Sequence, residues 1–424
     1  MKIVTLIYAP PSWITPPPLA PVLLKAYLEH TCTAEVRILD LNQIAFRRLP
    51  ETRPRWLKVD PAFERSLFAR LRNAVPLLME KVECTAAESD AVGFTLTQRN
   101  TPCVLDIADR IVRRNPKVKI FCGGPQTLRF YLSGKFPGLR AQWVIGEGEL
   151  PSARIIRGDD RARIVHDELS DLDRLPHYDF DYLAPSRIPP VLPLLSSRGC
   201  PGECAFCTER FLFRSYRIHS PSYVGEQIIR LHRRYRRRYF VFCDSLFNHS
   251  FQWLEEFCRM IIDTRLSIRW EAQMKIQPSF PVALARLLKK SGCSNLFIGL
   301  ESGSDAVLQK MRKGVTAGGA RSFFRTLRTA GIHFEISLIA GFPGERARDF
   351  AQTCRFLIAQ KRLIPKIAQI NPYLDYDLRR AAPRFPSRRA RHRADRLAAL
   401  VAAEKIPFTP RYINNLIQPG KVPR

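Results

Sequence analysis

Short apolar runs alternate with amphipathic helical stretches twice along this chain, and that alternation restricts the fold more than any other feature. In the first block the runs are Lys2 to Tyr8, Glu35 to Leu41, Ala91 to Leu96, Lys117 to Cys122 and Gln142 to Ile145. In the second they are Val191 to Leu195, Tyr239 to Cys243, Ile268 to Met274, Asn295 to Leu300, His333 to Ile339 and Lys366 to Ile370. Strand and helix in this order give parallel sheets with helices on their faces. The expectation is an α/β protein: a Rossmann-like layer over residues 1–150, then six β-α units forming a partial (β/α)6 barrel over 191–376. Residues 151–190, rich in charge and proline, read as a linker. Residues 377–424 read as a short basic tail, helical over Ala394 to Lys405, that is a disordered end, a lid or the remnant of a domain.

In such sheets the chemistry collects at the carboxyl ends of the strands. Just after the first run of the second block stand Cys200, Cys204 and Cys207, spaced C-x3-C-x2-C. Three thiolates suit a 4Fe-4S cube that keeps one iron without a protein ligand, where a small molecule can chelate. A zinc knuckle would need a fourth ligand nearby, and the closest downstream histidine is His219. Gly123-Gly124-Pro125 and Gly146-Glu147-Gly148-Glu149 sit at strand ends of the first block; neither is a G-x-G-x-x-G, so a nicotinamide cofactor is not indicated. Glu271, Gln273 and Lys275 alternate along one strand, so at least one of them should point into the barrel.

The segment Ser197-Arg198-Gly199-Cys200-Pro201, with Cys204 and Phe206 before Cys207, resembles the radical S-adenosylmethionine enzymes. The resemblance implies that the open iron binds the amino and carboxylate groups of S-adenosylmethionine, whose reductive cleavage gives a 5'-deoxyadenosyl radical. It places Phe206 beside the cluster and assigns Asp244, in Phe242 to Asn248, to the methionyl end of the cofactor. Glu301 and Ser302, in Gly299-Leu-Glu-Ser-Gly-Ser304, are cofactor contacts on the same grounds. Gly341 and Gly344, in Ile339-Ala-Gly-Phe-Pro-Gly-Glu345, would form the adenosine-binding edge. The first block resembles the cobalamin-binding domain that precedes many such cores, which assigns Gly123, Gly124, Gly146, Glu147 and Gly148 to a corrin. The D-x-H-x-x-G signature is absent, as is common in this subclass; the comparable loop, Thr97 to Thr101, has no histidine. Beyond Tyr376 the resemblance fades.

The function implied is a cobalamin-dependent methyltransferase acting on an unactivated carbon, with a radical rearrangement, cyclisation or oxidation as the alternative. The expected partners are a small-molecule or peptide natural-product substrate and an electron donor such as flavodoxin or ferredoxin. Methylthiolating relatives need three further cluster cysteines in the first domain, and Cys32, Cys84 and Cys103 are not convincingly placed at strand ends. No residue stands out as a general base. The formal charge of +29 suggests nucleic acid as a reading of another class, a binding protein with a vestigial cluster. Much of that charge lies in Arg230 to Arg238, on a helix where a charge run is normally a solvated face, and in the tail, so nucleic acid is not expected. No apolar run is long enough to cross a membrane. Lys2 to Tyr8 reads as a strand, not a signal peptide. A reducing cytoplasm fits the scattered free cysteines and an oxygen-sensitive cluster.

Overall fold

The computed structural model describes residues 1–56, 60–375, 377–380 and 386–408, which divide into two units meeting in sequence at Pro189–Pro190. The first is built on a six-stranded parallel sheet: β1 (Lys2–Tyr8), β2 (Ala34–Asp40), β3 (Ala91–Thr95), β4 (Lys119–Gly123), β5 (Gln142–Gly146) and β6 (Ile164–Asp167), in the order β2-β1-β3-β4-β5-β6. Its helices are α1 (Leu19–Thr31), α2 (Leu41–Arg48), α3 (Pro61–Ala74), α4 (Pro76–Ala87), α5 (Thr101–Arg114), α6 (Pro125–Ser133) and α7 (Glu149–Arg157). Proline in the first turn of α3 to α6 sets φ for a helix where no N–H is needed. Asp40 and Asp60 cap α2 and α3 by accepting from Gln43 N and Phe63 N, and left-handed Gly134 and Gly158 stop α6 and α7.

Two apolar clusters cover the two faces of this sheet, one around Trp56, Phe63, Leu67, Ile107 and Trp143, the other around Leu6, Leu28, Phe121, Val144 and Ile155. The stretch 151–190, expected to be a linker, instead supplies most of α7 and the sixth strand. Val165 is the one buried residue of β6, which is why an apolar-run reading passes over it.

In the second unit β7 (Val191–Leu194) leads to the two-residue strand β8 (Ser197–Arg198), the cysteine loop and α8 (Glu209–Leu212), then β9 (Arg217–Ile218), antiparallel to β8. The remaining elements are α9 (Pro221–Tyr235), β10 (Tyr239–Phe242), α10 (Phe251–Asp263), β11 (Arg269–Met274), α11 (Val282–Lys290), β12 (Cys293–Glu301), α12 (Asp305–Lys310), α13 (Ala317–Thr329), β13 (Phe334–Ala340), α14 (Ala347–Gln360), β14 (Ile367–Pro372) and α15 (Arg388–Ala403). Six strands pair in parallel in the order β14-β13-β12-β11-β10-β7, an open barrel. Serine or threonine caps α9, α10, α13 and α15. Phe242, Phe247, Trp253, Phe257 and Trp270 pack ring on ring between strand and helix, mostly edge to face.

The basic tail thus carries a helix longer than expected, beginning at Arg388. It packs on β13, β14 and α14, and Phe408 forms a bridge with Ile367 of β14. Residues 409–424 lie outside the described residues.

Candidate functional site

The cysteine loop leaves the carboxyl end of β7 through Gly199, whose φ of +80° turns the chain. Two backbone bonds shape and anchor it: Cys207 N donates to Cys204 O at 3.0 Å, and Ala205 N donates to Met311 O, just after α12, at 2.9 Å. Gly202 N lies 3.4 Å from Cys200 Sγ, and a Cβ on Gly202 would lie 3.3 Å from that sulfur and 4.0 Å from Cys204 Sγ. Burial raises the thiol pKa of Cys200 and of Cys207, and each is raised further by charge on its neighbouring cysteines. Among the described residues no three His, Cys, Asp or Glu side chains meet at one point as the ligands of a single ion would. A cube takes each cysteine on a different iron, and three thiols on one loop can supply those three ligands.

Around this loop the carboxyl ends of the strands bring polar groups together. Asp244, two residues beyond β10, is 2 % exposed and is held by its neighbours: it accepts from Ser196 N at 2.9 Å and from the hydroxyls of Ser196 and Ser197 at 2.7 Å each. Burial lifts its carboxyl to about 6, against the pull of those donors. Asp244 therefore laces the ends of β7 and β10 at the root of the cysteine loop, neither capping a helix nor presenting a bare carboxylate. Glu209, at the start of α8, is likewise raised by burial and bonded to Ser245.

On β12 the parallel register with β13 slips between Gly299 and Glu301, and Glu301 adopts φ +68°. Its carboxylate accepts from Lys313 Nζ at 2.9 Å and from Ser337 Oγ at 3.2 Å. Lys313 also lies 5.6 Å from the centre of the Phe206 ring. Burial pulls the Lys313 ammonium down, but Glu301 and the neighbouring Cys204 and Cys207 outweigh it and the net shift is upward. A Cβ on Gly299 would run into the Glu301 carboxylate and stand 2.8 Å from Lys313 Nζ, so a side chain here would force the buried pair to shift. Lys313 escaped the sequence reading; its only signal was Met311-Arg-Lys-Gly314 following the Gly-Leu-Glu segment. Lys275, past the end of β11, lies 3.5 Å from where a Cβ on Gly314 would be and acts electrostatically on Cys200.

Ser302 turns inward, with its hydroxyl 3.0 Å from Thr353 Oγ1 and accepting from Ser304 N. Gly341 and Gly344 have φ of +78° and +77°, and the loop they frame packs Phe342 with Val307, Met311 and Phe206. Glu271 faces the other way. With Asn295, Glu335, His333 and Lys366 it lines a cavity of about 770 Å³ at the amino ends of the strands, opposite the cysteine loop. There Lys366 pairs with Glu335 at 3.0 Å and Asn295 bonds both Glu335 and His333, so these charged and polar groups answer one another.

In the first unit the glycines at the carboxyl edge of the sheet are explained largely by the chain itself. A Cβ on Gly124 would lie 2.6 Å from Leu96 O, and one on Gly148 would lie 2.9 Å from Leu24 Cδ2. Gly146 has φ +82°, while a Cβ on Gly123 would make only an ordinary contact, 3.8 Å from Val144 Cβ. Glu147 accepts from Leu169 N at 3.2 Å and is 4 % exposed, which makes it part of the scaffold. At the same edge, past β1 and β2, Asp40 Oδ2 and Tyr182 Oη are buried without a hydrogen-bond partner among the described residues. Burial raises Asp40 to about 6 and, with the charge of Asp40, raises Tyr182. Buried polar atoms left open at a strand-end crevice suit a ligand rich in amide groups, as a corrin is.

Residues 194–357 match the sequence model of the Radical SAM superfamily. The chain is 26 % identical over 272 residues to an uncharacterized methyltransferase of Pyrococcus horikoshii, covering 62 % of this chain and 55 % of that one. It is 27 % identical over 289 residues to the hopanoid C-3 methylase of Methylococcus capsulatus, covering 61 % and 54 %. The chain thus spans about half the length of these relatives. Among solved structures, the cobalamin-dependent S-adenosylmethionine radical enzyme OxsB, with aqua-cobalamin and S-adenosylmethionine bound, superposes with a TM-score of 0.68 at 16 % identity, over 96 % of this chain and 56 % of that one. The radical S-adenosylmethionine methyltransferase TsrM from Kitasatospora setae superposes with a TM-score of 0.63 at 18 % identity, over 88 % and 74 %. These likenesses share the fold: a parallel Rossmann-like sheet followed by an open radical SAM barrel.

Proposed function

We propose that this chain, whose residues 194–357 form a radical SAM domain, is a cobalamin-dependent methyltransferase acting on an unactivated carbon. The observation that carries the reading is the pairing of two units. One is a barrel with three thiols on a single loop at its carboxyl mouth; the other is a Rossmann-like sheet with open buried polar atoms at its carboxyl edge. Cys200, Cys204 and Cys207 would hold a 4Fe-4S cluster, and the edge of the first sheet would hold the corrin. When bound, these groups supply one-electron cleavage of S-adenosylmethionine and methyl carriage.

The chain's own residues do the holding. Asp244 fixes the root of the cysteine loop through Ser196 and Ser197. Lys313 and Glu301 set a buried charge pair beside Phe206, where it can meet the carboxylate and ammonium of an amino-acid headgroup. Gly341 to Glu345 would form the adenosine edge. The substrate is a small molecule or peptide, and the reductant a flavodoxin or ferredoxin.

The test is anaerobic reconstitution with iron, sulfide and hydroxocobalamin, followed by S-adenosylmethionine carrying a deuterated methyl group together with a strong reductant. The reductant supplies the two electrons that take cobalt(III) to cobalt(I) and the one electron that cleavage consumes. A deuterated methyl recovered on the protein-bound corrin supports the proposal. Retained corrin that gains no label, together with 5'-deoxyadenosine release, would move the chain to radical rearrangement or oxidation.

A further inference from the structure

We infer that the basic helix α15 shapes the nucleoside side of the S-adenosylmethionine site, with Arg393 as the positioning residue. The inference rests on the proposed reading of Gly341 to Glu345 as the adenosine edge.

A charge run near a chain end would ordinarily be a solvated face, yet Arg393 is 7 % exposed and Glu345, its partner, 5 %. Arg393 Nη1 donates to Glu345 Oε2 at 2.5 Å and to Glu345 O at 3.1 Å, and Arg389 Nη2 donates to the same carbonyl at 2.9 Å. Glu345 Oε2 in turn accepts from Gly341 N at 2.8 Å, closing the loop on itself. The helix backbone lies against the loop as well: a Cβ on Gly341 would stand 2.5 Å from Ala390 Cα. Arg393 and Arg396 lie over the Phe350 ring of α14, at 5.4 and 5.2 Å, so the helix is fastened on a second side.

The far face of the loop carries the consequence toward the cysteines. Phe342 meets Tyr373 edge to face at 5.0 Å and shares an apolar cluster with Met311 and Phe206, the residue before Cys207. Lys310 Nζ holds Gly344 O from α12. A buried ion pair is costly to form and is a weak source of stability, but this one fixes the direction of a backbone N–H and of two residues at positive φ. Its geometric product is a loop of one shape, set from the tail and felt at Phe206.

The test compares wild type, Arg393→Met and Arg393→Met/Glu345→Gln in the full chain. Three quantities are read: thermal midpoint, amide hydrogen exchange over Gly341 to Glu345 without ligand, and equilibrium binding of S-adenosylhomocysteine to cluster-free protein. In Arg393→Met, exchange at Gly341 rises and binding weakens by about tenfold or more. The double variant leaves no unpaired buried charge, so it regains thermal stability while its affinity stays low. Unchanged exchange and affinity in Arg393→Met would overturn the inference, as would affinity that recovers together with stability in the double variant. If exchange rises but wild type binds no S-adenosylhomocysteine, the clamp stands, and the assignment of the loop to the nucleoside falls.

Discussion

Replacing Lys313 with methionine removes one member of a pair that is almost fully out of water, Lys313 at 9 % exposed and Glu301 at 6 %. Glu301 would keep Ser337 Oγ at 3.2 Å and lose the ammonium at 2.9 Å. A buried carboxylate stripped of its cation costs about 3–5 kcal/mol, and Glu301 already sits at a left-handed φ that holds only because its surroundings enforce it. At about 2–4 °C per kcal/mol for a unit of this size, the thermal midpoint of the barrel should fall by roughly 10 °C. The assay is urea and thermal denaturation of cluster-free protein under nitrogen, on Lys313→Met, Glu301→Gln and the double variant. The double variant should recover at least about 2 kcal/mol relative to the sum of the singles, because each single leaves an uncompensated buried group and the double leaves none. Additive singles, or a loss below about 1 kcal/mol for Lys313→Met, would show instead that the pair is solvated.

Gly299→Ala drives a methyl group into the same pair, 2.8 Å from Lys313 Nζ, and should cost about 1–3 kcal/mol in the same denaturation experiment; a neutral substitution would mean the β12 bulge relaxes freely. Asp244 makes a pH prediction of definite sign. Its folded value of about 6 lies above its ordinary 3.8, so the native state takes up the proton first and stability rises as pH falls through 6. Between pH 7 and 5 this contributes about 1 kcal/mol, which Asp244→Asn should abolish; an unchanged pH slope in the variant would contradict it. Glu335→Gln, at the amino-end cavity, should leave cluster assembly and S-adenosylmethionine binding within about twofold of wild type, because the site lies at the other end of the strands; loss of either would move the functional site.

Much of the fold was legible because buried parallel strands are continuous apolar runs, and eleven of them match observed strands to within a few residues of their ends. What was missed lacked that signal. The strand Ile164–Asp167 places one residue in the core and carries His166 and Asp167 beside it. Helices α3 and α4, in the stretch between the second and third strands, are marked instead by Pro61, Pro76, the Asp60 cap and the helical spacing of Phe63, Leu67 and Leu71. The cysteine loop was legible since its chemistry is local in sequence. Lys313 was not, because its meaning depends on the chain folding back after α12 to place it under Phe206. Asp244 stood out in its segment as a cofactor contact, but its structural partners Ser196 and Ser197 become neighbours only through the β7–β10 register, in which Phe242 stands opposite Leu194. Arg393 was hidden by composition: nothing in an arginine-rich tail marks which guanidinium is buried.

On the proposed function, Cys200, Cys204 and Cys207 hold a cluster that cleaves S-adenosylmethionine at the barrel mouth. The most direct test reconstitutes wild type and Cys204→Ala anaerobically with iron and sulfide. Iron content, the visible spectrum and 5'-deoxyadenosine formation under a strong reductant are then measured. About four irons per chain and 5'-deoxyadenosine release are expected in wild type, with both lost in the variant. A wild type that assembles no cluster, or a Cys204→Ala protein that still releases 5'-deoxyadenosine, would contradict the proposal.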